Sequence, residues 1–402
     1  MSVSQKKNPP DYFLIIGVFL LVVFGLIMVN SVTNYDFYQN PDKIETAFMS
    51  DTAWKQILLT VAGIILWAVV SQINYLVWKR FSPMLYVIGV FLLLLLFHPA
   101  FGKTLNGATG WLDFGSFFPS IQPVEFVKIA TILYLARWLE PKVHELKTLD
   151  AGFIPFGIIV GVVILLIAAQ PDFGGFLVLF PVCLVMFYVA GARLKHLLMV
   201  FLVSLMLCVI GITAFKHIRD RFSDFMDPTV DPSNKNVGWQ IQQSLIAVGS
   251  GGFMGRGINK SVQKMGYLPE VERDTIFAAI AEETGFRGTL ALILVYLFVC
   301  WRGFVIAYYA PDKFARYASL GLSFLILWQA FVNIAVTIKL FPLTGITLPF
   351  ISAGGSSLLI NLFSVGILVN ISRYSSIPHA HFAHRRRVGR AHISSPRVVQ
   401  ET

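Results

Sequence analysis

LPEVERDTIFAAIAEETGF, residues 268–286, is the stretch that decides how this chain folds. It sets Glu270, Glu272, Arg273, Asp274, Glu282 and Glu283 beside apolar residues, in a chain that otherwise avoids charge. The apolar run it opens, 275–310, is 36 residues long. As one helix it would measure about 54 Å, well beyond the ~30 Å hydrocarbon core of a bilayer. The acidic start is therefore expected to project to the membrane surface, or the helix to break at Gly285 or Gly288. Asp274 then falls at the water–lipid boundary, with Glu282 and Glu283 deeper. Ionisable groups at that depth are costly, and they are either paired or functional. For the two glutamates the readings balance, because Arg287 lies five and four residues further along one helix, within pairing reach. For Asp274 the functional reading is favoured.

Composition agrees with a membrane setting. Hydrophobic residues make up 56% and charged residues 13%, against roughly 25% charged in a soluble domain. Repeated apolar runs of about 20 residues mark an integral membrane protein. The net charge of +10 does not indicate a nucleic-acid partner, since no soluble basic domain carries it. Cys183, Cys208 and Cys300 all fall in apolar runs, which suggests neither a disulfide framework nor a metal cluster. Lys6 and Lys7 precede a long apolar run without a small-residue cleavage site, so a retained first helix is expected.

Ten membrane segments are expected, at 12–32, 54–73, 81–98, 122–139, 151–169, 173–191, 195–215, 275–308, 317–339 and 349–372. The expected architecture is all-α, with both termini cytoplasmic. Lys and Arg concentrate in the segments this places inside, while the short outer loops hold Lys43, Lys55, Lys103 and Lys339. That bias fits an even number of spans. The chain divides into an N-terminal tail (1–11), a membrane domain (12–372) and a basic cytoplasmic tail (373–402). Between helices seven and eight lies one large extracytoplasmic loop (216–273). Within it, residues 239–248 read as a short amphipathic helix between turn signals. His379, His381 and His384 in the tail are loosely spaced for a metal and read better as part of a basic segment on anionic lipid.

Polar residues gather at the outer helix ends. Glu125 and Lys128 share a face at i and i+3, either as a local ion pair or as a site for a charged head group. Asp172 follows Pro171 in a tight turn, where capping the sixth helix is the favoured reading. The tenth helix is expected to open with TLPFISAGGSSLL (347–359), whose Gly354, Gly355, Ser356 and Ser357 allow close approach of a helix or a lipid chain. No P-loop, nucleophile elbow, zinc spacing or dinucleotide fingerprint is present. A transporter and a lipid-processing enzyme both fit. One carboxylate beside a large outer loop favours the enzyme, as a general base on an external substrate.

Several separate motifs resemble the SEDS family (shape, elongation, division and sporulation), which includes RodA and FtsW. They are QPVEFVKIATILYLARWL (122–139), QPDFGG (170–175), RFSDFMDP (221–228), QQSLIAVGSGGFMGRG (242–257), the 268–286 stretch and TGITLPFISAGGSS (344–357). The run SVQKMGYLPE (261–270) leans to the division, FtsW-like side. The resemblance implies a ten-helix peptidoglycan glycosyltransferase of the bacterial cytoplasmic membrane that polymerises lipid II on the outer face. It implies a class B penicillin-binding protein as partner, together with other division or elongation machinery. The family's essential aspartate falls on Asp274, and its fourth-helix glutamate and lysine fall on Glu125 and Lys128. Substrate contacts are expected among Glu125, Lys128, Asp172, Arg221, Glu282, Glu283 and Ser356. A divalent cation, Mg²⁺ or Mn²⁺, is expected with Asp274 as candidate ligand, and no organic cofactor. Two rival readings stand beside it: a lipid II flippase, in which Glu125, Lys128 and Asp172 serve head-group passage, and a non-catalytic scaffold for the transpeptidase, which would leave Asp274 dispensable. A flippase needs charges deep along a path, and their clustering at the outer ends favours the enzyme. Gly110 stands where relatives carry an arginine before the tryptophan, here Trp111.

Overall fold

The computed structural model describes residues 8–33, 50–105, 108–113, 120–142, 145–214 and 237–376, with short pieces at 219, 222–223 and 225–226. In chain order the elements are α1 (Tyr12–Thr33), α2 (Asp51–Gln72), α3 (Tyr75–Leu95), β1 (Gly102–Leu105), β2 (Ala108–Leu112) and α4 (Pro123–Leu139). A π-turn (Leu149–Phe153) leads into α5 (Ile154–Ala169), followed by α6 (Phe173–Val189) and α7 (Leu194–Ala214). The remainder is α8 (Val237–Ser250), α9 (Ile276–Tyr308), α10 (Lys313–Thr337) and α11 (Gly355–Ser372).

Capping side chains fix where several helices begin. Ser50 accepts from Ala53 N, Asn74 from Leu76 N, Asp172 from Gly175 N and Asp312 from Ala315 N. Three of these caps correct the expected boundaries: α2, α3 and α10 start at Asp51, Tyr75 and Lys313, not at 54, 81 and 317. The cations that looked like loop residues lie inside the helices, and Lys79 is held there by Glu140 at 2.6 Å. A larger correction concerns 347–354, expected as helix. Pro349 is followed by Phe350 at φ 66°, so the chain turns, and α11 begins only at Gly355. The all-α expectation also missed the antiparallel β1–β2 hairpin. The expected short helix at 239–248 is found as α8.

Among the described residues seven helices are long and apolar enough to cross a membrane: α1, α2, α3, α5 with its π-turn, α9, α10 and α11. Their outer faces are oily. Leu58, Ile65 and Val69 on α2, and Met84, Val87 and Phe91 on α3, all stand exposed. An apolar surface this continuous needs lipid around it. The chain is a largely helical, multi-pass membrane protein. In its interior α11 packs on α2, α9 on α1 and α10, and α10 on α4 and α6.

Helix α9 breaks where its length demanded, at Gly285, with φ 67° and ψ −168°. Residues 252–257 supply the hydrogen bonds that the break removes. Arg256 N and Gly257 N donate to Glu282 O and Glu283 O, both at 2.9 Å. On the other side, Phe286 N donates to Gly252 O at 2.9 Å and Arg287 N to Phe253 O at 3.3 Å. The loop thus caps the end of one half-helix and the start of the next, as buried backbone requires. Beyond the break, 286–308 measures roughly 34 Å, enough to span alone.

Glycine is needed at the contact because the two backbones touch. A Cβ on Gly285 would overlap Gly255 N, and one on Gly255 would overlap Glu283 O. Gly285→Ala and Gly255→Ala are each expected to cost about 1–3 kcal/mol, read as a lower Tm of the detergent-purified protein. Gly249→Ala is the control, because a Cβ there meets nothing within 4 Å. Equal behaviour of all three variants would contradict the splice.

Candidate functional site

The segment before α9 is held by its backbone. Ala353 N donates to Glu272 O at 2.8 Å, Ser352 Oγ donates to Arg273 O, and Asn333 Nδ2 donates to Asp274 O at 2.9 Å. Three successive carbonyls are therefore fixed by α10 and the turn ahead of α11. Asp274 itself is half-buried. Its Oδ2 lies beside Gly345, where an added Cβ would stand 3.4 Å away.

Gly345 belongs to the wall of a small cavity of about 30 Å³, shared with Gln122, Glu125, Lys128, Asp172, Thr344 and Thr347. Lys128 Nζ lies 2.9 Å from both Glu125 oxygens and donates to Gln329 Oε1 at 2.8 Å. Both members of the pair are buried. A lysine and a glutamate enter an apolar bundle together at far lower cost than either alone. Asp172 Oδ1 accepts from Gly175 N at 2.8 Å, capping α6, and the same carboxyl group lines the cavity. Ser356 Oγ accepts from Gln122 N at 3.4 Å, joining the start of α11 to the start of α4. Arg221 lies outside the described residues.

Glu282 and Glu283 stand apart from this cluster, and the expected partner Arg287 is not theirs. Glu282 pairs with Arg256 at 3.4 Å and accepts from Ser261 Oγ, Val262 N and Gln263 N. Glu283 pairs with Lys264 at 3.0 Å and accepts from Ser31 Oγ and Asn259 N. Apart from Ser31 of α1, residues 256–264 supply these groups because the splice at Gly285 brings them alongside, while Arg287 is exposed beyond the break. Lys264 is fully buried, and its Nζ also donates to Ser31 O and Asn259 Oδ1.

The sequence reading missed Gln329, Asn333, Thr344, Gly345, Thr347 and Lys264. One signal was available: Gln329 and Asn333 are two amides four residues apart in the apolar second half of a helix. Among the described residues no group of three or more His, Cys, Asp or Glu is arranged to hold a metal.

The chain is thus a membrane bundle with Glu125, Lys128 and Asp172 collected around one cavity. Residues 12–377 match the family model of the cell cycle proteins FtsW, RodA and SpoVE. The chain belongs to that family. It is 40% identical over 374 residues to stage V sporulation protein E of Bacillus subtilis (strain 168), covering 92% of this chain and 99% of that one. It is 36% identical over 365 residues to a probable peptidoglycan glycosyltransferase FtsW of Trichlorobacter lovleyi, covering 90% and 93%. Among solved structures, a chain from a study of a peptidoglycan synthase complex matches with TM-score 0.72 and 26% identity, covering 91% of this chain and 98% of that one. The rod shape determining protein RodA of Thermus thermophilus matches with TM-score 0.66 at 22% identity over the same shares, a likeness of fold.

Removing one member of a buried pair leaves the other charge uncompensated, at a cost of about 3–5 kcal/mol. Lys264→Met is therefore expected to lower thermal stability sharply. The double variant Lys264→Met/Glu283→Gln should recover much of the loss. A double variant no more stable than the single one would show that the pair is not the source of the effect.

Proposed function

We propose that this chain polymerises lipid II into glycan strands at the outer face of the bacterial cytoplasmic membrane, with Asp274 at the reacting centre. The observation that carries the reading is the placing of one partly accessible carboxylate, rigidly held through its backbone, next to a cavity walled by Lys128. The family relatives bearing the name peptidoglycan glycosyltransferase support the chemistry.

In the proposed step a sugar hydroxyl of the acceptor loses its proton to Asp274. Its oxygen forms a bond to the anomeric carbon of the donor, and the bond from that carbon to the polyprenyl diphosphate breaks. Positive charge beside the diphosphate stabilises its departure. A cation arriving with the substrate, or Arg221, would supply most of that charge, while Lys128, paired with Glu125, and Ser356 would offer further polar contacts to the head group. Asp172 and Glu125 shape the cavity. Mg²⁺ fits a site of one carboxylate completed by substrate phosphate and water, so Asp274 would be its protein ligand. Such an ion would supply charge neutralisation.

In this reading α4, α6 and α7 join the seven apolar helices to make ten spans, both termini are cytoplasmic, and 216–273 lies outside. α4 is 17 residues long and carries Glu125, Lys128 and Arg137, so length and hydropathy alone do not mark that helix as a span. A class B penicillin-binding protein would be the partner, in division, elongation or sporulation.

The test supplies purified protein and its transpeptidase partner with lipid II and Mg²⁺ or Mn²⁺, and follows glycan strands on a gel. Wild type should make polymer, and Asp274→Asn should make at least roughly 100-fold less. Near-normal polymer from the variant would remove Asp274 from the mechanism. No polymer from wild type in an intact complex would favour a flippase or a scaffold.

A further inference from the structure

Helix α10 carries two buried amides on one face, Gln329 and Asn333, each 1% exposed. Gln329 Oε1 accepts from Lys128 Nζ at 2.8 Å, and its Nε2 donates to Thr347 O at 3.1 Å. One turn further, Asn333 Nδ2 donates to Asp274 O at 2.9 Å and to Ile346 O at 2.7 Å. The two side chains therefore join three separate pieces of chain: α4, the 344–347 strip, and the segment that ends in Asp274. Asn333 Oδ1 is buried and meets no donor. The side chain is thus oriented by its two N–H bonds, one of which goes to the carbonyl of the proposed catalytic residue.

We infer that Gln329 and Asn333 are positioning residues that set the distance and angle between the Lys128 ammonium and the Asp274 carboxylate. The inference rests on the reading of Asp274 and Lys128 given above. Neither amide is required to touch substrate. Gln329 fixes the ammonium by offering it a second acceptor opposite Glu125. Asn333 fixes the aspartate by clamping its backbone to the same strip that Gln329 holds. Because both act from a single helix, the spacing of the Lys128 and Asp274 head groups is inherited from the α10 backbone. Displacing a reacting group by about an ångström costs on the order of 100-fold in rate.

Asn333→Asp is nearly isosteric, removes both N–H donors and points carboxyl oxygens at two carbonyls. In the lipid II assay, kcat is expected to fall roughly 10- to 100-fold with KM for lipid II little changed. Lowering the pH protonates the new carboxyl and restores one donor. The ratio of variant to wild-type rate, taken at each pH, should therefore rise from mildly alkaline to mildly acidic buffer. Gln329→Leu, which leaves Lys128 with Glu125 alone, should lower kcat/KM by a similar factor. Asn370→Asp is the matched control. That amide is equally buried and bridges Ser71 O and Tyr75 N where α11 meets the α2–α3 turn. It should lower Tm but leave activity per folded molecule unchanged.

A wild-type kcat for Asn333→Asp, or a loss no greater per folded molecule than that of Asn370→Asp, would overturn the inference. So would a variant-to-wild-type ratio that does not change with pH. Wild type without polymer would instead strike the functional reading on which the inference rests, so the two failures are told apart by the first lane of the gel.

Discussion

A peptide group inside an apolar bundle has no water to bond, so wherever a helix stops, another part of the chain must meet its loose ends. That constraint governs α9. The helix is too long to run straight through a bilayer, and at Gly285 it gives up its own ladder. The loop at 252–257 then has to lie against it, backbone to backbone, closely enough to restore four hydrogen bonds. Everything around follows from that approach: the glycines at 255 and 285, the delivery of Arg256 and Lys264 to Glu282 and Glu283, and the tie to α1 through Ser31. The half-helix before the break is thereby rigid, and the segment that ends in Asp274 is mounted on its start.

The same rule explains a second irregular piece. Residues 344–354 are not helical, yet they sit in the bundle among α4, α6 and α10. Non-helical backbone is tolerated where protein polar groups take up its carbonyls and amides. Asn333 takes Ile346 O, Gln329 takes Thr347 O, and Ser352 Oγ receives Leu348 N. The strip lets a polar cavity exist beside Lys128 without an open seam in the bundle. Buried amides on α10 are what permit the strip, and the strip is what brings Gly345 against Asp274.

Local signals were legible in the sequence. Apolar runs located the helices, the excess length of 275–310 called for either a projecting start or a break at a glycine, and the Pro171-Asp172 pair announced a cap. The spacing of Glu125 and Lys128 allowed either a pair or a site, and the structure shows that the pair exists while lining a cavity. What stayed hidden depends on tertiary approach. Arg287 was the nearest cation in sequence to Glu282 and Glu283, but a helix that breaks between them no longer places i and i+4 together. Lys264 looked like a loop cation, and only the splice buries it. The turn at 347–354 was obscured because small and apolar residues suit both a close-packed helix start and a buried strip, with Pro349 as the lone hint. Gln329 and Asn333 look like ordinary polar interruptions until the carbonyls opposite them are known.

The pairing of Lys128 with Glu125 bears on how a diphosphate can be handled here. Two opposite charges at 2.9 Å present little net charge to a third group. A phosphate approaching the cavity therefore meets a neutral dipole at this pair. For Lys128 to face the substrate as a cation, Glu125 would have to turn away or gain a proton, and both are costly in a buried pair. On the proposed chemistry the demand for positive charge therefore falls largely outside the pair, on a cation that arrives with the substrate or on a side chain such as Arg221. Lys128 and Glu125 then serve to define the shape and polarity of the cavity floor. This arrangement suits a site that must admit an anionic head group and then release an even more anionic product, because a paired lysine attracts the departing diphosphate less than a bare one.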